Sequence, residues 1–316
     1  MAKTKQQPLD FRFYDMPQRD PVLAFGGEAW RRVYGKGAPN LHFHNVMEVG
    51  VCLEGSGKMI YEEEEIPYHA GMVSVVPQNV PHNTVNEPGA YSLWSYVFID
   101  AHSYLLRAFP DDPQFLAKTE NRIGVRYFLE EADQCPEIVS AAEGILRERE
   151  KNEPYAREMI NAYVMQILMA TARNNRAYDQ ANPDEEHRHS KQQIRGVLDF
   201  IQKHFSEPLT IGDLAGSFHV SETHFRRIFK ECMNMSPADY LNMIRIQQAC
   251  TMLLKTDFPV DLVAEKAGFT TLSTFNRNFR HFMDDSPLRW KKRHVNTEHT
   301  SGLRVKALRG WTDDVL

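Results

Sequence analysis

Two histidines and a glutamate crowd the stretch NLHFHNVMEVGVCLEG, residues 40–55: His42, His44 and Glu48. Two imidazoles and a carboxylate at this spacing are a donor set for a metal ion. The same groups can instead grip a polar small molecule, or merely satisfy one another. Side chains on a strand alternate with period 2, so positions 42, 44 and 48 share one side. Phe43, Met47, Val49, Val51 and Leu53 take the other side. An apolar face this continuous must be covered, which leaves the polar face for an enclosed lumen. His82, after the turn PQNVPH, can approach from a neighbouring strand.

The elements that must hold these groups read as β. Short alternating runs over residues 9–100 are separated by Gly, Pro and Asn clusters, with the acidic run EEEE at 62–65 expected at a solvated hairpin tip. Residues 136–175 switch to a helical period. Ile138, Ala141, Ala142, Ile145 and Leu146 share one face, and Ile160, Tyr163, Val164, Ile167 and Leu168 share another. They predict an αα-hairpin whose stripes serve as core or subunit interface. The polar stretch 178–191 reads as a linker, and its His187 and His189 as solvated. From Gln192 to about Lys292 the pattern is helical again.

A second constellation lies in that helical part. Phe225, Arg227 and Phe229 recur as Phe275, Arg277 and Phe279, fifty residues on; Ser236-Pro237 recurs as Ser286-Pro287, and Tyr240 as Trp290. Each half reads as helix, short turn, helix, with Leu214-Ala215 and Val263-Ala264 at the close approach. Ser221 and Thr271 are expected N-caps of the second helices. In the first of these, Phe225, Ile228, Phe229 and Cys232 point inward, while Thr223, Arg226, Arg227 and Lys230 fall on the other face. In the second, Phe275, Phe279 and Phe282 point inward, while Ser273, Asn276, Arg277 and Arg280 take the same four offsets outward. Arg suits guanine edges, Asn suits adenine, and Lys or Thr suits phosphate. Twice-repeated helix-turn-helix patterns with one basic stripe each predict contact with double-stranded DNA.

Residues 192–293 resemble the AraC/XylS DNA-binding domain, carried by LTIGDLAGSFHVSETHFRRIFK, SPADYLNMIRIQQACTMLLKTDFPVDLVAEKAGF, STFNRNFR and SPLRW. The resemblance implies two helix-turn-helix units joined by a long helix, about 237–255, entering successive major grooves. It implies readers at Thr223, Arg226 and Arg227, then at Leu272, Ser273, Asn276 and Arg277. Asn234 and Asp284 stand where that family usually has Gly, and both tolerate left-handed backbone. Leu272 stands where a polar reader is common.

Residues 42–86 resemble the two cupin motifs. His42, His44, Glu48 and Gly55 meet the first; Gly71, Pro77, His82 and Asn86 meet the second, with Asn79 in place of the central Gly. The resemblance implies a small antiparallel barrel of jelly-roll type. In metal-binding cupins those positions hold a divalent ion such as Fe, Mn, Ni or Zn; in regulators the barrel senses an effector. Three readings of His42, His44, Glu48 and His82 stay open: direct effector binding, a metal that helps to grip it, or structure alone. Phe43, Tyr61, Tyr68, Tyr91, Trp94, Tyr96 and Phe98 face a ligand or pack the barrel.

Composition narrows the class. The chain has 316 residues, 42% apolar and 25% charged, and four cysteines without a C-x-x-C pair. This suits a reducing compartment and excludes a disulfide scaffold or zinc ribbon. No apolar run reaches a membrane span, and the first residues lack an apolar leader, so a cytoplasmic protein is expected. Residues 1–190 hold 19 Lys+Arg against 28 Asp+Glu, whereas residues 191–295 hold 15 against 11. An acidic body joined to a basic segment fits a protein that binds nucleic acid at one end.

The expected fold is therefore multidomain: an all-β cupin barrel plus a helical hairpin, then an all-α domain with two helix-turn-helix units. Its expected divisions are an effector-sensing barrel over 1–105, a dimerising hairpin over 106–177, a linker over 178–191, the DNA-binding domain over 192–295 and a tail over 296–316. The expected function is sequence-specific transcriptional regulation, for instance as an activator. Its partners are promoter DNA, a small polar effector such as a sugar, a second copy of the chain and RNA polymerase, with no membrane. No cofactor is required and no catalysis is expected. The rival reading is a metal-dependent cupin enzyme or metal sensor fused to a DNA-binding module.

Overall fold

The computed structural model describes residues 10–14, 22–35, 41–61, 64–181, 196–198, 200–233, 235–295 and 305–307. The sequence readings at Glu62, Glu63, His187, His189, Asn234, most of the linker and most of the tail lie outside them. The chain divides into two compact units: Met16–Glu185, and Glu186–Leu316 together with Met1–Asp15.

In the second unit β1 (Asp10–Tyr14) pairs antiparallel with β12 (Val305–Ala307), Arg12 opposite Ala307. The first unit holds the remaining strands: β2 (Val22–Phe25), β3 (Arg31–Arg32), β4 (His42–His44), β5 (Met47–Glu54), β6 (Ser56–Tyr61), β7 (Glu64–His69), β8 (Met72–Val76), β9 (His82–Asn86), β10 (Ser92–Ile99) and β11 (Phe128–Glu131). One sheet runs β11-β8-β5-β10-β2, with β3 also on β10; facing it are β4-β9-β6-β7. The strand-like run at 42–53 is thus two strands rather than one. The chain bends at Asn45 and Val46 and passes from one sheet to the other. The acidic run is not all turn either, since Glu64 and Glu65 open β7.

The outer face of the β5 sheet is the apolar one, as its alternation requires. Met47, Val49, Val51, Val73, Val75, Val97 and Ile99 form a single buried cluster with Ile138, Ala141, Ala142, Ile145, Ile160, Val164, Ile167 and Leu168. Those helical residues belong to α3 (Pro136–Lys151) and α4 (Ala156–Ala181), an antiparallel pair laid over the sheet. Leu53, at the end of β5, escapes this cover and is 44% exposed. Each large apolar side chain buried there contributes about 1.5–3 kcal/mol, which is what holds the pair down.

Two shorter helices precede that pair and extend the helical part beyond a simple hairpin. α1 (Ala101–Ala108) and α2 (Pro113–Ile123) begin at Asp100 and Asp112, whose side chains accept from the Ser103 and Phe115 amides. β11 then adds an edge to β8, with Phe128 opposite Val75. Helix α4 runs to Ala181, four residues into the stretch 178–191 that composition assigned to a linker.

The second unit repeats one motif. Residues 196–198 and 200–204 are helical. α5 (Ile211–Ser217) and α6 (Glu222–Met233) form the first helix-turn-helix; α8 (Val260–Lys266) and α9 (Leu272–Met283) form the second. The long α7 (Pro237–Lys255) joins them, and α10 (Pro287–Val295) follows. Phe229 packs edge-on against Tyr240, and Phe279 against Trp290, at 5.7 and 5.9 Å between ring centroids. Each turn holds one left-handed residue, His219 in the first and Gly268 in the second.

Candidate effector site and nucleic-acid interface

The bend at Asn45–Val46 places the donors on both walls of the barrel. His42 and His44 stand on β4 and Glu48 on β5. His82 stands on β9, directly opposite His42 on one side and Tyr61 on the other. The turn before β9 is tied down by the Asn79 amide, which donates to the His44 carbonyl at 2.8 Å, and Asn79 takes φ 61°. A ligand atom from each of His42, His44, Glu48 and His82 lies within 4.8 Å of every other, and all four residues are buried.

The hydrogen bonds fix the ring tautomers. His44 Nδ1 lies 2.7 Å from the Val46 carbonyl, and His82 Nδ1 lies 2.8 Å from the Val80 carbonyl. A carbonyl only accepts, so both rings donate from Nδ1. In the neutral ring Nε2 then carries a lone pair. These two Nε2 atoms face Glu48 Oε2, at 3.1 Å for His44 and 3.6 Å for His82. Burial holds His44 below the ordinary imidazole range, against the pull of Glu48. Burial also works to raise the Glu48 carboxyl, but the facing imidazoles outweigh it and hold the group below the carboxylate range. His44 is completely buried, so its neutral form prevails, and a neutral His44 has no Nε2 proton to give to a charged Glu48. The face between these atoms then asks for positive charge, either a second ring proton or a cation.

The donor set fits a cation. Imidazole nitrogen and carboxylate oxygen are the donors that divalent first-row ions take, and here one from each of the four residues lies within 4.8 Å of the others. Ring protons held on Nδ1 by main-chain oxygen are the usual outer support of a ligating Nε2. His44, His82, Glu48 and His42 would hold such an ion.

Beyond the donors the lumen wall is aromatic. Phe98, Tyr96 and Trp94 lie opposite Glu48, Gly50 and Cys52 across the β5–β10 ladder. Their rings stack in a row, Trp94 to Tyr96 at 5.9 Å and Tyr96 to Phe98 at 6.1 Å. Gly50 allows this, since a Cβ there would sit 3.1 Å from Tyr96 Cε1 and 3.2 Å from Trp94 Cε3. Trp30 meets Tyr96 edge-on, and Tyr68 meets Trp94 the same way. Tyr61 donates or accepts at Ser74, and Tyr68 at Ser92. Of the aromatics singled out from sequence, Tyr91 is 60% exposed and lies off this wall. Gly50 and Trp30 were not legible as site residues, because their role is defined by strands distant in sequence.

A separate cleft of about 520 Å³ opens beside α3 and α4, lined by Arg126, Glu130, Cys135, Ile138 and Asn174 among others. Its floor is a closed network. Arg126 and Asn174 donate to Glu130 at 3.0 and 2.8 Å, and the Cys135 thiol donates to Glu130 at 3.1 Å.

In the second unit α6 and α9 are both twelve residues long and start fifty residues apart. Thr223, Arg226, Arg227 and Lys230 are exposed over buried Phe225 and Phe229. Ser273, Arg277 and Arg280 are exposed and Asn276 half-buried over buried Phe275 and Phe279. Leu272 is exposed at the start of α9. Thr271 caps α9 by accepting from the Thr274 amide at 3.1 Å, and Ser221 accepts from the His224 amide at 3.3 Å. Asp284 ends α9 at φ 52°. Sequence reading passed over Glu222 and His224 on α6. Glu222 pairs with Arg226, and Arg227 Nη2 lies 3.2 Å from His224 Nδ1. The i, i+4 spacing of Glu222 and Arg226 was the available signal.

Comparison with known proteins bears on both units. A helix-turn-helix domain model matches residues 214–293, and a cupin domain model matches residues 31–94. The chain is 31% identical over 98 residues to an uncharacterised HTH-type transcriptional regulator of Staphylococcus aureus, covering 31% of this chain. It spans only 13% of that relative's length. Over 265 residues it is 22% identical to the HTH-type transcriptional activator RhaR of Mannheimia succiniciproducens, covering 84% of this chain and 91% of that one. Among solved structures, the C-terminal domain of AraT, a response regulator from Geobacillus stearothermophilus, is 31% identical. That match covers 34% of this chain and 91% of the domain, with a TM-score of 0.32.

Proposed function

We propose, for a chain that belongs to the AraC-type helix-turn-helix proteins and carries a cupin domain, that a small polar effector held in the barrel governs its grip on promoter DNA. The observation that carries the DNA half is the repeated face. Two helices fifty residues apart carry polar or basic side chains at the same four offsets over buried phenylalanines, all of them exposed except the half-buried Asn276. A solvated surface has no need to repeat its charges in register. Arg226, Arg227 and Arg277 suit guanine, Asn276 suits adenine, and Thr223, Ser273, Lys230 and Arg280 suit phosphate oxygens. Leu272 offers a thymine methyl an apolar contact.

The lumen supports the effector half. Buried imidazoles and a carboxylate next to stacked aromatic rings match a molecule with several hydroxyls and one apolar face, such as a sugar. An effector shifts the protein only by binding two states unequally. A regulator of this kind works in the cytoplasm as a dimer, through α3 and α4, where Met159 on α4 and Tyr155 in the turn before it are exposed, and acts beside RNA polymerase.

A thermal-shift screen of sugars and polar metabolites, followed by fluorescence anisotropy on operator DNA, tests the whole. A ligand that raises the melting temperature should also change the DNA affinity. Arg227→Ala or Arg277→Ala should cost about 1–3 kcal/mol and relax one base position. Equal binding of every duplex by wild type and both variants would end this reading.

A second reading has its own observation. The Nε2 atoms of His44 and His82, both turned toward Glu48, favour a divalent ion as part of the sensor. When bound, such an ion supplies Lewis acidity and positive charge at the centre of the cluster. His44 and His82 orient toward it through main-chain oxygens, and Glu48 offsets its charge. Elemental analysis of untagged protein decides this: below about 0.2 metal per chain, both the metal sensor and the metal-dependent enzyme are excluded.

A further inference from the structure

The recognition face of α6 holds an acid that DNA binding does not explain. Glu222, in the first turn, accepts from Arg226 Nε at 2.9 Å and from Arg226 Nη2 at 2.6 Å, both on the same carboxylate oxygen. Both side chains are about half exposed. An exposed i, i+4 pair adds little to the stability of a helix. Placed on a surface meant for phosphates, a carboxylate also lowers affinity for any duplex. Neither stability nor affinity therefore accounts for it.

Geometry does. A guanidinium has five N–H donors in a fixed fork. Glu222 takes Nε and one N–H of Nη2, which is the side-on edge. The end-on edge, Nη1 with the remaining N–H of Nη2, is left for a second partner. That edge makes the two parallel bonds by which Arg reads O6 and N7 of guanine. Holding one edge also removes rotamers in which Arg226 would swing to a phosphate, and a less mobile arginine loses less freedom on binding. The second unit shows the contrast. Fifty residues on, the same two positions hold Leu272 and Asn276, and α9 has no acidic residue at all. The reader changes from arginine to asparagine, and the acid that could hold an arginine is gone.

We propose that Glu222 is a positioning residue that sets base preference through Arg226, so that positions 222 and 226 read one base pair as a unit. The inference rests on the reading of α6 as a DNA-recognition helix.

Selection of bound sequences from a randomised duplex library tests it, using the full chain as wild type, Glu222→Gln, Arg226→Ala and the double variant at one salt concentration. Arg226→Ala should flatten preference at one base pair. Glu222→Gln should cut discrimination at that same base pair about tenfold, with overall affinity held or raised by loss of the negative charge. In the Arg226→Ala background, Glu222→Gln should leave the selected profile unchanged. An unaltered profile for Glu222→Gln, or an effect that persists without Arg226, overturns the inference alone. An unaltered profile for Arg226→Ala overturns the recognition-helix reading of α6, and the inference with it.

Discussion

Replacing Glu48 by glutamine separates the two ways in which the buried cluster can be charged. Glutamine keeps the shape and removes the charge, and its amide can donate to His44 Nε2 across the present 3.1 Å. With His44 neutral and its proton on Nδ1, the wild-type site sets an Nε2 lone pair against a carboxylate oxygen when no cation is supplied. The variant exchanges that conflict for a hydrogen bond. A buried polar group without a partner costs about 1–3 kcal/mol, so in chelator the variant should be more stable by about that amount. The barrel unit spans Met16–Glu185, and for that size each kcal/mol moves the melting temperature by about 2–4 °C. Calorimetry in chelator should thus show a rise of about 2–12 °C. Divalent zinc, manganese, iron or nickel at a hundred times its dissociation constant adds about 2.7 kcal/mol to the wild type, and far less to a variant that has lost its carboxylate. The order of the two melting temperatures should invert when metal replaces chelator. If the variant melts lower in chelator by several degrees, Glu48 is half of an imidazolium–carboxylate pair, whose breakage costs about 3–5 kcal/mol, and the cation argument fails.

Four further tests address the sites and the frame around them. Gly268→Ala forces a Cβ to 2.6 Å from the Phe205 carbonyl oxygen at φ 85°, so the second unit should lose about 2–5 kcal/mol in denaturant titrations. His219→Gly at the matched turn should change stability by less than about 1 kcal/mol, because relieved strain and added freedom of the unfolded chain offset each other. Burial works to raise the Glu130 carboxyl, but Asn174, Cys135 and Arg126 prevail and hold it below its ordinary value of 4.5. Its stabilising contribution is therefore complete above about pH 4.5 and lost as pH falls through the folded value, and melts from pH 6 down to pH 3 should show a shallower decline for Glu130→Gln. Lys230→Ala should weaken binding to all duplexes alike and lower the salt slope by about 1, as anisotropy at several salt concentrations will show.

The helical unit was legible because its information is local. The repeat of Phe225 and Phe229 as Phe275 and Phe279 gives the inward faces, and the caps at Ser221 and Thr271 give the starts. The barrel was legible in its motif residues but less so in its path. Alternation across 42–53 is equally satisfied by one strand or by two strands on facing sheets, since Glu48 keeps its parity either way. Only the partners, β9 for His42 and β8 and β10 for Glu48, distinguish them, and those lie far along the chain. The same holds for β11, four residues whose pairing with β8 no local pattern announces. Helices α1 and α2 did leave local marks in Asp100 and in Asp112-Pro113. Their short, mixed faces hid the period that marks α3 and α4.

The bend at Asn45–Val46 also bears on how such a site is inherited. Because one short segment supplies both walls, the chemistry of the lumen hangs on the register of β5. A one-residue slip of β5 would turn Glu48 toward the helices and draw Met47, Val49 and Val51 out of their buried cluster. The apolar cover on the far side of the sheet therefore guards the register of the polar donors, and a change of length at the bend falls on the bend itself.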